Sequence, residues 1–143
     1  MSDCIFCKII RGEISSTKVY EDAEFVAFLD INPVSPGHTL VIPKIHHDRF
    51  ETTPPAMVSK LFQLVHKLAP GVTAGAEAQG FNLGLNNAPA AGQVIFHTHV
   101  HIIPRKSKDG LQLWPPQKYG NNEMDEVAKK IRAAIKQGIG GRQ

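Results

Sequence analysis

The stretch Val94-Ile95-Phe96-His97-Thr98-His99-Val100-His101-Ile102-Ile103 decides how this chain of 143 residues is read. From His97 onward, histidines alternate with Thr98, Val100 and Ile102. A period of two is the pattern of a β-strand with two unlike faces. The spacing predicts one strand over residues 94–103, with His97, His99 and His101 on one face at intervals of roughly 6–7 Å. An imidazole, with an ordinary pKa of about 6.5, is a nucleophile when neutral and a proton donor when charged. Crowded rings cannot all hold a charge, so the group favours one proton shared among several. That suits a step in which one ring attacks while another protonates the leaving group. The same face can also be read as a hydrogen-bonded polar surface. A third reading, a metal site of the three rings alone, needs closer convergence than same-face neighbours have.

Upstream, Phe81, Leu83 and Leu85 alternate as another strand. The connection Asn86-Asn87-Ala88-Pro89-Ala90-Ala91-Gly92-Gln93 then delivers amides and a glycine backbone beside the histidines. Glycine lets phosphate oxygens approach main-chain N–H groups, and Asn and Gln side chains bind ribose or phosphate. After Pro54-Pro55, the residues Met57, Leu61, Leu64, Val65, Leu68, Val72 and Ala76 keep one helical face. Pro70 interrupts that run without changing its register, which predicts one long kinked helix. Earlier still, residues 17–20, 24–29 and 38–42 read as strands, with turns at 21–23 and 33–37. Asp3 is placed to cap a short first helix carrying Ile5, Phe6, Ile9 and Ile10 and stopped by Gly12. Asn122 is the candidate cap of a last helix bearing Met124, Val127, Ala128, Ile131 and Ile135. The order α-β-β-β-α-β-β-α, with strands joined by short turns, predicts an antiparallel sheet of the α+β class. One domain over residues 1–143 is expected, with a core at about 4–105 and a C-terminal extension and helix at 106–137.

Hydrophobic residues make up 42% and charged residues 20% of the chain, the balance of a globular protein. The apolar stretches are too short to span a bilayer, and the first residues lack a basic-then-apolar leader. A cytoplasmic protein with no membrane partner is expected. The net charge of +3 is modest, and Lys129, Lys130, Arg132 and Lys136 read as a solvated helix face, so no nucleic acid partner is expected. Cys4 and Cys7 lie three apart, which on a helix puts both thiols on one side. In a reducing compartment such a pair points to metal binding or redox chemistry before a structural bridge, with packing in the core as the alternative.

The segment His97-Thr98-His99-Val100-His101-Ile102-Ile103 resembles the His-φ-His-φ-His-φ-φ signature of the histidine-triad (HIT) family, φ being apolar. Cys4 to Ile10, Phe28-Leu29-Asp30-Ile31, Gly37 to Lys44 and Gly92-Gln93 to Arg105 also resemble its nucleoside-phosphoramidase-like branch. The resemblance covers residues 4 to about 105 and implies a five-stranded antiparallel sheet in a homodimer. The implied activity is hydrolysis of nucleoside monophosphates carrying an amine or similar leaving group. It implies that His99 is the nucleophile that forms a nucleotidyl-histidine intermediate. His101 would bind phosphate and assist proton transfer, with His38 as a supporting fourth histidine beside His97. Asp30 matches the residue that holds the ribose hydroxyls. Asn86, Gly92, Gln93 and Val94 match the phosphate-side loop, and Phe6, Ile9, Phe28 and Ile31 match the base pocket. Some relatives bind zinc through a cysteine pair, a histidine after the third strand and the first triad histidine, which implies Cys4, Cys7, His46 and His97 here. The zinc would be structural, and catalysis would need no cofactor.

Two residues depart from the pattern: Thr98 stands at an apolar position, and Val94 stands where the eukaryotic phosphoramidases carry serine. Two further activities of the same histidines are a dinucleoside polyphosphate hydrolase or nucleotidyl transferase, and a nucleotide-binding regulator.

Overall fold

The computed structural model describes residues 3–138. In chain order these form α1 (Ile5–Ile10), β1 (Lys18–Glu21), β2 (Phe25–Leu29), β3 (Thr39–Pro43), α2 (Pro55–Gly75), β4 (Gly80–Gly84), a 3₁₀ turn (Pro89–Ala91), β5 (Val100–Arg105) and α3 (Glu123–Lys136). The strands make one antiparallel sheet in the order β1-β2-β3-β5-β4. The fold is α+β, in the expected element order. The chain divides after Asp109 into two compact units. The first holds the sheet, α1 and α2; the second, from Gly110, holds α3. Among the described residues no helix is long and apolar enough to cross a membrane.

The sheet is covered on both faces because β2 and β3 are apolar at nearly every position. The pleat sends Phe25, Ala27, Val41, Val100 and Ile102 to one layer, where Leu61, Leu64, Val65 and Ala69 of α2 pack on them. It sends Val26, Phe28, Leu40 and Ile42 to the opposite layer, against Phe6 and Ile9 of α1. Each such side chain contributes roughly 1.5–3 kcal/mol when fully buried. With Val100 and Ile102 committed to the α2 layer, alternation puts His101 on the α1 side.

Several sequence expectations need correction. The strand expected over 94–103 begins only at Val100. β3 offers β5 just three partners, Thr39, Leu40 and Val41, and the preceding backbone bonds elsewhere, Thr98 N–H donating to His47 O at 2.8 Å. Cys4, not Asp3, occupies the N-cap of α1 and makes no side-chain capping bond. Gly12 does stop that helix, at φ +78°. As expected, a single helix, α2, continues through Pro70. In the second unit Asn122 sits at the N-cap of α3 but its side chain caps nothing; Glu123 Oε1 instead accepts the Gly120 N–H at 2.7 Å.

Candidate active site and metal cluster

A cavity of about 420 Å³ opens where α1 crosses the ends of the central strands. Ile5, Phe6 and Ile9 from α1 and Phe28 and Leu40 from the sheet give it apolar walls. Asp30, Ile31, Asn86, Gly92 and Val94 come from the loops, and His99 and His101 complete it. Of the residues expected around a nucleotide, these all reach the cavity. His38, His97 and Gln93 do not line it.

The three alternating histidines all lie toward α1, with Phe6 packed against the first two and sharing the cavity with the last two. His99 and His101 are neighbours, with ring centroids 4.9 Å apart. His97 is fully buried and turns toward His46, whose ring centroid lies 4.9 Å away. Phe6 meets both rings edge-on, with centroids 5.8 Å from His97 and 5.1 Å from His99.

Hydrogen bonds fix which nitrogens carry protons. His99 Nδ1–H donates to the carbonyl of His97 at 2.6 Å, so the neutral ring presents a bare Nε2. Val34 N–H donates to His38 Nδ1 at 3.0 Å, which leaves the His38 proton on Nε2. That proton is donated to His101 Nδ1 at 2.9 Å, and His101 in turn carries its own on Nε2. His101 Nε2 is buried and has no hydrogen-bond partner among the described residues. Burial holds His99 and His38 below the usual imidazole range. Burial, reinforced by the neighbouring histidines, pushes His101 down to about 4. Asp30 Oδ1 accepts the Asn32 N–H at 2.8 Å, and its Oδ2 lies 3.7 Å from His38 Nε2. The site therefore pairs an unprotonated nitrogen with a partnerless N–H donor on the same cavity.

The loop before the histidines is held in a constrained shape. Ala88 has φ +76° and ψ +157°, a region that side-chain-bearing residues avoid. Its N–H is bound by Gln93 Oε1 at 2.8 Å, and Gln93 Nε2 donates to the carbonyls of Asp48 and Ile95. The Gln93 amide is thus spent inside the loop and not turned to a ligand. Gly92, at φ +91°, takes the left-handed turn that brings the chain back. Thr98 is buried, and its hydroxyl meets Thr53 Oγ1 at 2.8 Å and His47 O at 3.2 Å. The polar residue at an apolar position is therefore matched by a polar partner.

Cys4, Cys7, His46 and His97 converge so that their donor atoms all lie within 4.8 Å of one another. His97 Nε2–H donates to Pro43 O at 2.8 Å, and His46 Nε2–H donates to Asp48 Oδ1 at 2.7 Å. Both Nδ1 lone pairs therefore face inward, 3.2 Å apart. Burial also raises the pKa of the Cys4 thiol. Two opposed lone pairs beside two thiols make a donor set that could hold a metal ion. Asp30, His38 and His101 also cluster, but the His38–His101 hydrogen bond already accounts for that approach.

Sequence reasoning missed Asp48, which orients His46, and the cavity residues Ile14, Ser15 and Ser16. Residues 14–16 lie between a helix stop and a strand, where no periodicity marks them. Leu40 was legible in the alternation of the third strand.

A five-stranded antiparallel sheet carrying His-x-His-x-His at the mouth of a cavity defines an α+β domain of the histidine-triad class. A family model described as the HIT domain matches residues 11–108. The chain belongs to the HIT family. It is 42% identical over 135 residues to adenylylsulfatase HINT3 of Arabidopsis thaliana, covering 94% of this chain and 68% of that protein. It is 36% identical over 140 residues to adenosine 5′-monophosphoramidase HNT1 of Candida albicans, covering 94% and 92%. Among solved structures, a Zn-bound histidine triad family protein from Mycobacterium smegmatis superposes with a TM-score of 0.74 at 35% identity, covering 94% of each chain.

Proposed function

We propose that the protein hydrolyses nucleotide conjugates at the α-phosphorus, with His99 Nε2 as the nucleophile. The observation that carries this is the 2.6 Å bond from His99 Nδ1–H to His97 O. It fixes the tautomer, and it strengthens as attack leaves positive charge on the ring. In the first step a bond forms from Nε2 to phosphorus and the bond to the leaving group breaks, an amine departing with a proton taken from solvent and sulfate departing as the anion. In the second, water attacks phosphorus and gives up a proton to solvent, the P–N bond to His99 breaks with its pair returning to Nε2, and the nucleoside monophosphate is released. His101 Nε2–H donates to a phosphate oxygen, and His38 holds His101 in that tautomer. Asn86 and the Gly92–Val94 backbone flank the phosphate, Asp30 takes the ribose, and Phe6, Ile9, Phe28 and Ile31 enclose the base.

The two named relatives point to substrates in which AMP carries sulfate or an amine. Val94 brings no hydroxyl to the leaving group, which favours tolerance over a strict P–N preference. Incubation with adenosine 5′-phosphoramidate, adenylyl sulfate and a diadenosine polyphosphate, separately, tests the reading. AMP is expected from the first two. Turnover of the polyphosphate alone would move the activity to that class, and binding without any turnover would make the protein a regulator.

Asp30→Ala should weaken ribonucleotides by about 1.5–3 kcal/mol, the worth of hydrogen bonds to a charged group. The 2′,3′-dideoxy analogues should be almost unaffected. Equal weakening of both, by calorimetry, would remove Asp30 from the ribose.

The cluster of Cys4, Cys7, His46 and His97 is proposed to hold structural zinc. Tetrahedral zinc, with bonds of about 2.0–2.1 Å to nitrogen and 2.3 Å to sulfur, spaces neighbouring ligand atoms about 3.3–3.8 Å apart. The contacts here are 3.2, 3.3, 3.5 and 3.7 Å. Bound there, zinc would supply cross-linking of α1 to the sheet and no chemistry on substrate.

A homodimer is proposed as well. β4 is an edge strand with Phe81 and Leu83 exposed, a template that soluble proteins cover. Sedimentation equilibrium should return twice the chain mass; a monomer at micromolar concentration would rule the dimer out.

A further inference from the structure

Among the described residues, two buried side-chain polar atoms have no hydrogen-bond partner: His101 Nε2 and Ser16 Oγ. Both residues line the same cavity. An unpaired buried hydroxyl is destabilising, and such orphans call for an explanation. The proposed reaction gives His101 a phosphate oxygen. It gives Ser16 nothing.

The sheet order shows what comes near Ser16. The register sets Lys18 opposite Phe28, Phe28 opposite Leu40, and Leu40 opposite His101. Leu29 N–H also donates to Thr17 O at 2.9 Å. The cavity residues therefore follow one another across the strands. Ser16 stands just ahead of β1, Asp30 just after β2, Leu40 on β3 and His101 on β5. From β1 to β5 is three strand spacings, about 14 Å. A nucleotide with its phosphate at His101 and its ribose at Asp30 must direct its base away from β5, toward β1. The base then meets Ser16 in a slot otherwise walled by Ile5, Ile9, Ile14 and Phe28.

We propose that Ser16 is a specificity-determining residue whose hydroxyl reads the polar edge of the base; this rests on the nucleotide reading above. A hydroxyl both donates and accepts, so it can pair with an exocyclic group or a ring nitrogen. Apolar walls discriminate weakly between bases of similar shape. A polar group that loses its partner rejects an analogue more firmly.

The test measures equilibrium binding of AMP and of analogues that each lack one edge group (the 6-amino group, N1, N3 or N7). The proteins compared are the wild type, Ser16→Ala and Ser16→Thr. The wild type should bind AMP about three- to tenfold more tightly than one of the analogues, the value of a single hydrogen bond. Ser16→Ala should bind AMP and that analogue alike, and Ser16→Thr, which keeps the hydroxyl, should restore the preference. With no ligand present, Ser16→Ala should melt no lower than the wild type, because it removes an orphan. Ser16→Ala keeping the wild-type preference, or a wild type indifferent to every analogue, overturns the role while leaving nucleotide binding intact. A wild type that binds none of the nucleotides sinks the nucleotide reading itself, and the role of Ser16 with it.

Discussion

His99→Asn is expected to lower turnover of an AMP conjugate by on the order of 10⁴-fold, since a nucleophile acting with its partners cannot be replaced by the groups that remain. That factor corresponds to about 5.5 kcal/mol of transition-state stabilisation. Nucleotide affinity should change little, because the walls of the cavity and Asp30 are untouched. His99 is buried behind Phe6, and asparagine fits the space with an amide able to keep the bond to His97 O. Radiolabelled conjugate quenched during turnover should leave nucleotide on the wild-type chain and none on the variant. A variant retaining more than a tenth of wild-type turnover would take the nucleophile away from His99. The trapped nucleotide separates this role from that of a general acid, whose removal would leave the chain still labelled.

Much of this site was legible in the alternation of residues 97–103, since a period of two with histidine on one side has few bland explanations. The sheet itself was legible for a related reason: β2 and β3 are apolar on both faces and so must be covered twice. What alternation could not supply was the point where the strand begins. That point depends on the partner strand. β3 stops offering bonds to β5 at Val41, because Ile42 and Pro43 pair only with β2. His97, ahead of that point, meets the cysteine pair of α1 instead of the cavity. Its Nε2 is captured by Pro43 O, 54 residues away in the chain, a contact that no local pattern encodes. Gln93 reads as a ligand-binding amide in sequence, yet the strained Ala88 beside it claims that amide for the loop. Ser16 was invisible for the opposite reason: a serine between a helix stop and a strand looks like any linker residue until its neighbours across the sheet are known. Thr98 looked like a mild departure from pattern and is explained only by Thr53, which long-range packing brings to it.

Removing the metal is expected to lower the melting temperature by about 10 °C or more, a loss of several kcal/mol at the roughly 3 °C per kcal/mol of a domain this size. α1 is only six residues long, far too short to persist by itself. Its attachments are Phe6 and Ile9 in the core and two thiols in the cluster. Losing the metal leaves these groups only the weaker thiol-to-imidazole contacts at 3.3–3.7 Å to hold α1 to the sheet. The consequence reaches the cavity without any contact between metal and ligand. Ile5, Phe6 and Ile9 form a wall of that cavity, so nucleotide affinity should fall along with stability. His97 O, which holds His99 by its Nδ1–H, belongs to a cluster residue, so the nucleophile should also lose its fixed direction. Cys7→Ala should reproduce the drop in melting temperature, and a chelator should then have no further effect on that variant. Metal analysis far below one zinc per chain, with a chelator leaving the wild-type melting temperature unchanged, would return Cys4 and Cys7 to ordinary packing of α1 against the sheet.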